Sequence, residues 1–236
     1  MPENNLEGQN LQRGVSVPVS AVVSSRLVGV SPEIQEAFDS LESMNNRIEL
    51  SHIQEGESLW YQPEKIDALV HPVTSRFLSL PISNCEPVVH ASQSQSLSLS
   101  PLPVWTWTCL RSGALLYLAE FRRRSGISPV NTEIHARHLC LGLKKCGSED
   151  GALLDLSLQL WLLTIVTIEG SELVSFEEYG ELTRKLTETL NKMGITSLIQ
   201  WQNSLREIIW FEALFKHQLR FVAGGLSDVP FLGHLT

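Results

Sequence analysis

The most apolar stretch of the chain, LDLSLQLWLLTIVTIEGSEL at residues 154–173, restricts the fold more than any other. Three environments could hold it: a membrane, the wall of a catalytic pocket, or the middle of an α-helical domain. After Asp155 the uncharged run extends only from Leu156 to Ile168, and Gln159, Thr164 and Thr167 interrupt it. A membrane span needs roughly 20 apolar residues, so no transmembrane helix is expected here. Wound as an α-helix, the run has apolar residues on nearly every side, the pattern of a helix covered by neighbours all round. It therefore predicts several further helices to bury it.

Those helices are readable from periodicity. SPEIQEAFDSLESMNNRIEL has Ser31 to cap free N–H groups, Pro32 at the first helical position, and Ile34, Phe38, Leu41 and Met44 at helical spacing. QPEKIDALVHPVTSRFLSL predicts a second helix interrupted around Pro72. VWTWTCLRSGALLYLAEFRRR ends on Arg122, Arg123 and Arg124, favourable at the negative end of a helix dipole, and SPVNTEIHARHLCLGLKKC follows, ending at Gly147. In SFEEYGELTRKLTETLNKMG, Ser175 and Glu178 have capping-box spacing, while Phe176, Tyr179, Leu182, Leu186, Leu190 and Met193 form one face. Glu181–Lys185 and Glu188–Lys192 are i,i+4 pairs, and Gly194 is a natural stop. SLIQWQNSLREIIWFEALFKHQLRFV predicts a last helix stacking Leu198, Trp201, Leu205, Ile208 and Phe215. No segment alternates as a strand would, so the expected class is all-α, a multi-helix bundle. With 236 residues and 43% hydrophobic content there is material for a sizeable core. Residues 1–30 read as a flexible lead-in, 31–220 as the helical domain, 81–103 within it as a Ser/Pro-rich loop, and 221–236 as a C-terminal tail.

Chemical motifs are few. His135, His138, Cys140 and Cys146 in HARHLCLGLKKC are the one cluster of metal-ligand types. On a helix His135 and His138 share a face and Cys146 returns near it, but Cys140 points away, so no metal is expected; packing of the cysteines as small apolar groups is the simpler account. There is no GxSxG elbow, no SxxK, no GxGxxG and no GxxxxGK[ST]. Glu177, Glu178 and Glu181 read as acids of a helix N-terminus rather than a carboxylate site. FRRRSG reads as a solvated helix end ahead of an import signal, an anion contact or a kinase site at Ser125. Trp105, Trp107, Trp161, Trp201 and Trp210 are expected mostly in the core, with one or two free to line a pocket. Neither a catalytic residue nor a cofactor is expected, and no ligand-binding residue can be singled out. Cys85, Cys109, Cys140 and Cys146 show no CxxC spacing, as in a reduced intracellular protein. The first residues have neither the apolar core of a secretory signal nor the Arg-rich pattern of a transit peptide. A net charge of −8 argues against a surface wrapped around nucleic acid.

The order LVGVSPEIQEAFDSLESM, GALLYLAEFRR, LQLWLLTIVTIEG, an amphipathic helix ending in NKMGI, and SLREIIWFEALF resembles the fungal-specific transcription factor domain. That domain is the helical regulatory region that follows the binuclear zinc cluster of many fungal regulators. The resemblance runs from about Arg26 to Arg220. It implies a helical regulatory fold, a nuclear setting and a role in transcriptional control. The CxxCx6C-type motif and basic run that bind DNA in such regulators do not occur in these 236 residues. Neither DNA binding nor structural zinc is therefore implied, and the chain looks short for the full domain, as a truncated regulator or separate regulatory module would. The expected partners are other transcription regulators or a second copy of the chain, and the expected effector is small and apolar. The alternative is a helical enzyme or metal-dependent binder using the His135/His138/Cys146 face.

Overall fold

The computed structural model describes residues 32–80, 104–129, 131–146, 154–170 and 173–226. The lead-in, Ser31, the 81–103 segment and Gly147 lie outside these residues. The described chain is all-α: α1 (Pro32–Glu55), a 3-10 turn (Gly56–Tyr61), α2 (Pro63–Ser79), α3 (Val104–Arg124), α4 (Thr132–Cys146), α5 (Leu156–Gly170), α6 (Phe176–Lys192), α7 (Leu198–Arg206) and α8 (Glu212–Gly225). No strand occurs among the described residues.

The apolar run at Leu156–Ile168 is the central helix, α5. It packs against α3, α4, α6, α7 and α8, and every side chain from Leu160 to Thr167 is buried. No helix among the described residues is long and apolar enough to cross a membrane. The polar atoms of α5 are absorbed locally: the Thr164 hydroxyl donates to the Leu160 carbonyl at 2.8 Å and accepts from the Trp201 indole N–H at 3.1 Å. The indole N–H of Trp161 donates to the Ile209 carbonyl at 2.8 Å. Trp107, Trp161, Trp201 and Trp210 are all buried, while Trp105 is half-buried.

α1 and α2 form a hairpin laid against α3. Phe38, Leu41, Met44 and Ile48 of α1 face Ile66, Val70, Val73 and Phe77 of α2, and Phe38 meets Phe77 edge-on with ring centroids 5.4 Å apart. α2 is not interrupted at Pro72; it runs through the proline. Proline deprives the carbonyl four residues earlier of its donor. Here both Pro72 and Ala68 are exposed, which leaves that carbonyl accessible to water.

α6 has the expected capping box, with the Ser175 hydroxyl accepting from the Glu178 N–H and the Glu178 carboxylate accepting from the Ser175 N–H. Leu182, Leu186 and Leu190 are its buried stripe, and Gly194 adopts φ 65° just beyond its end. Lys185 lies 3.7 Å from Glu181, whereas Glu188 is held by Arg184.

The C-terminal region departs from its sequence pattern. SLIQWQNSLREIIWFEALFKHQLRFV is two helices, not one: α7 stops at Arg206, and α8 begins after Phe211, whose backbone is extended. Ile208, Ile209, Trp210 and Phe211 are all buried. Consecutive side chains on a helix point in directions about 100° apart, so no regular helix can bury all of them on one face. Leaving the helix buries each and frees the Ile209 carbonyl for Trp161. α8 then continues to Gly225 with Val222 and Ala223 buried, so residue 221 lies inside a helix and does not begin a tail.

Candidate functional site

The residues singled out by ligand chemistry do not converge. On α4, His138 is exposed, Cys140 is buried, and His135 and Cys146 are half-buried. Among the described residues no group of three or more His, Cys, Asp or Glu side chains is placed to hold a metal ion. Burial pushes the His135 imidazole down to about 4, and the nearby charge of Arg111 pushes it the same way. The thiols of Cys109 and Cys146 are hydrogen-bonded across the α3–α4 seam. That contact and burial hold Cys109 far above the usual thiol range, while burial takes Cys140 to about 11. These are packing thiols, not nucleophiles. Glu177 is exposed, Glu178 serves the cap, and Glu181 pairs with Arg184 and Lys185.

The three arginines form a helix end that is solvated in part, with Arg123 and Arg124 exposed and Arg122 half-buried, but they are not free charges. Each is tied to a carboxylate on another element: Arg122 to Asp67 of α2 at 3.1 Å, Arg124 to Glu57 of the 3-10 turn at 2.8 Å, and Arg123 to Glu169 of α5. Arg124 also lies over the Trp60 ring, 5.9 Å from its centroid. Ser125 is buried and its hydroxyl donates to the Phe121 carbonyl at 2.9 Å, which hides it from a kinase.

Arg123 leads to the candidate site. Its guanidinium donates two parallel hydrogen bonds to Glu169, at 2.9 and 2.8 Å, and another to Glu120 one turn back on α3. The second oxygen of Glu120 accepts from the Gln218 amide of α8 at 2.8 Å. Both glutamates are buried, 5% and 6% exposed, and they share one guanidinium whose own side chain reaches solvent. Burial, which disfavours a charged carboxylate, is the main reason that Glu120 is pushed up to about 7; the charge of Glu169 adds to it and Arg123 opposes it. Arg123 is held above its ordinary range, first by its hydrogen bonds to Glu169.

This cluster lies at one side of a cavity of about 800 Å³ between α3, α5, α6 and α8. Thr167 and Ile168 of α5, Tyr179 of α6, and His217, Phe221 and Val222 of α8 complete its walls, with Ser128 and Pro129 at the α3–α4 connection. The size is that of small-molecule sites in general. Six buried side-chain polar atoms among the described residues lack a hydrogen-bond partner, and the one on this cavity is the hydroxyl of the fully buried Thr167, whereas Thr164 one turn earlier bonds the Leu160 carbonyl. A buried hydroxyl left unpaired costs about 1–3 kcal/mol and calls for a reason.

Of the three clustered residues only Arg123 stands in a segment that the sequence marks, FRRRSG, and nothing there points to Glu120 or Glu169 as its partners. Glu120 and Glu169 each sit in an apolar helix and could have been noticed as isolated acids within it, but their common arginine follows from the α3–α5 packing alone. Comparison of the chain with protein-family models, with curated proteins and with solved structures gave no match.

Proposed function

We propose that this chain is a helical regulatory domain that binds a small-molecule effector between α3, α5, α6 and α8. It acts on transcription in the nucleus through a partner that supplies the DNA contact, and it works by binding rather than catalysis. The effector part rests on one observation: the unpartnered, fully buried hydroxyl of Thr167 on a cavity that also holds the Glu120–Arg123–Glu169 cluster. The transcriptional part rests on the resemblance of Arg26–Arg220 to the fungal regulatory domain, and the net charge of −8 favours a partner over direct contact with DNA.

A thermal-shift screen of a small-molecule library on the wild-type chain and on Thr167→Val tests the effector. Valine keeps the shape and removes a hydroxyl without a partner, so the ligand-free variant should be at least as stable as wild type. A ligand at about 100 times its Kd stabilises by about 2.7 kcal/mol, which such a screen detects. The expected result is a set of compounds whose stabilisation shrinks in Thr167→Val. A library without any stabilising compound, or hits indifferent to the substitution, would remove the effector reading. The chain fused to an unrelated DNA-binding module should change expression of a matching reporter, and a reporter unmoved by the fusion would remove the transcriptional reading.

A further inference from the structure

We infer that the ligand of this cavity is a small organic cation, an ammonium group on an apolar and preferably aromatic body, held by Glu120 and the Thr167 hydroxyl. The inference rests on the effector reading above and names its chemistry. The first support is charge: two buried carboxylates face a single guanidinium, which leaves one negative charge in excess at the cavity floor once Glu120 is ionised. The second is the balance of donors and acceptors. A carboxylate has about four acceptor sites. Arg123 commits three of its five N–H groups, two to Glu169 and one to Glu120, and Gln218 gives one amide N–H to Glu120, so Glu120 keeps acceptor capacity after these bonds are made. Thr167 adds an oxygen with no partner. A ligand that completes this floor brings N–H groups and positive charge. The walls suit its other end: Ile168 and Val222 are aliphatic, and Tyr179 and Phe221 offer aromatic surface, with Phe221 exposed at 76%. Aromatic faces attract cations as well as apolar bodies.

Without such a ligand, Glu120 takes up a proton near neutrality, and a bound ammonium would have to displace it. Affinity for the cation should therefore rise as pH increases through about 7. The charged and titratable groups around Glu120 are Arg123 on its own helix, Glu169 from α5, Tyr179 from α6 and His217 from α8. His217 is a second titratable group on the cavity wall and needs its own control.

The experiment is titration calorimetry of the full chain with phenylbutylammonium, with phenylbutanol as a neutral match and phenylbutyrate as an anionic one, at about pH 6 and about pH 8. Phenylbutylammonium should bind about tenfold or more tighter than phenylbutanol, as a charged hydrogen bond implies. Its affinity should rise between the two pH values, in His217→Gln as in wild type. Glu120→Gln should lose about tenfold in affinity and most of the pH dependence, and Thr167→Val should lose affinity with an unimpaired fold. Should phenylbutanol or phenylbutyrate bind as well as the ammonium, or should the ammonium bind Thr167→Val and Glu120→Gln unchanged, the cation assignment is wrong and the cavity remains a small-molecule site. Failure of all three probes to bind, together with a library screen without hits, removes the cation and the effector reading together.

Discussion

Trp161 has no exposure, touches the Tyr117 ring with centroids 6.0 Å apart, and satisfies its one polar atom on the Ile209 carbonyl. Replacing it by alanine should cost about 3–5 kcal/mol, a large part of the roughly 5–15 kcal/mol that holds a domain together. Trp161→Phe should cost less but still leave that carbonyl unpaired, about 1–3 kcal/mol. Urea unfolding of the purified variants measures both, and a loss under 1 kcal/mol for Trp161→Ala would deny it a place in the core. Trp161 is legible in sequence because it stands inside an apolar run too short for a membrane, which leaves burial as its explanation. Arg123 is not legible. In sequence it is the middle of a basic triplet at a helix end, and the carboxylate that defines it is 46 residues away. Thr167 is equally silent, since a threonine within an apolar helix ordinarily bonds the preceding turn as Thr164 does.

At the level of the helices, α3 and α4 approach closely where Gly142 faces Cys109. A Cβ built on Gly142 would lie 2.5 Å from the Cys109 sulfur and 3.4 Å from the Trp105 carbonyl oxygen. Cys109 is fully buried and cannot yield into solvent, so the helices themselves would have to separate. Gly142→Ala should therefore destabilise by about 1–3 kcal/mol despite the better helix propensity of alanine. Gly180 in α6 is the contrast: it is exposed and nothing lies within 4 Å of its added Cβ, so Gly180→Ala should be neutral or stabilise by up to about 1 kcal/mol. Melting temperatures of the two variants compare them directly, and equal shifts would rule out a steric seam at Gly142. The helices were readable because each carries a period that packing then used, as Leu182, Leu186 and Leu190 show in α6. The break between α7 and α8 was not, because LREIIWFEALF keeps enough helical spacing to hide four adjacent side chains that all seek burial. Pro72 misled in the opposite direction, since its position on the exposed face of α2 decides its effect, and exposure is a tertiary property.

For the whole molecule, charge organises two expectations. A net charge of −8 and the engagement of Arg122, Arg123 and Arg124 by carboxylates leave little to meet a phosphate backbone. Titrated with promoter-length duplex at about 0.15 M salt, the isolated chain should bind no tighter than about 10⁻⁶ M, and nanomolar sequence-dependent binding would contradict a partner-dependent role. The second expectation is a pH dependence with a defined sign. Glu120 is raised from 4.5 to about 7 in the fold, so the folded state holds a proton that the unfolded chain has released. Its contribution to stability is fully present below about 4.5 and is lost as pH rises through about 7. His135 runs the other way. Lowered from 6.5 to about 4, it contributes stability above 6.5 that is lost as pH falls through 4. The two oppose each other between, which flattens the wild-type profile and hides both. A difference measurement separates them, because groups distant from the substitution contribute equally to both proteins. Glu120→Gln removes the falling component, so its melting temperature minus that of wild type should increase steadily from about pH 5 to about pH 8. A difference that stays constant over this range would mean that Glu120 carries no proton near neutrality. The floor of the cavity would then hold two ionised carboxylates, and cation affinity should lose the part of its pH dependence assigned to Glu120.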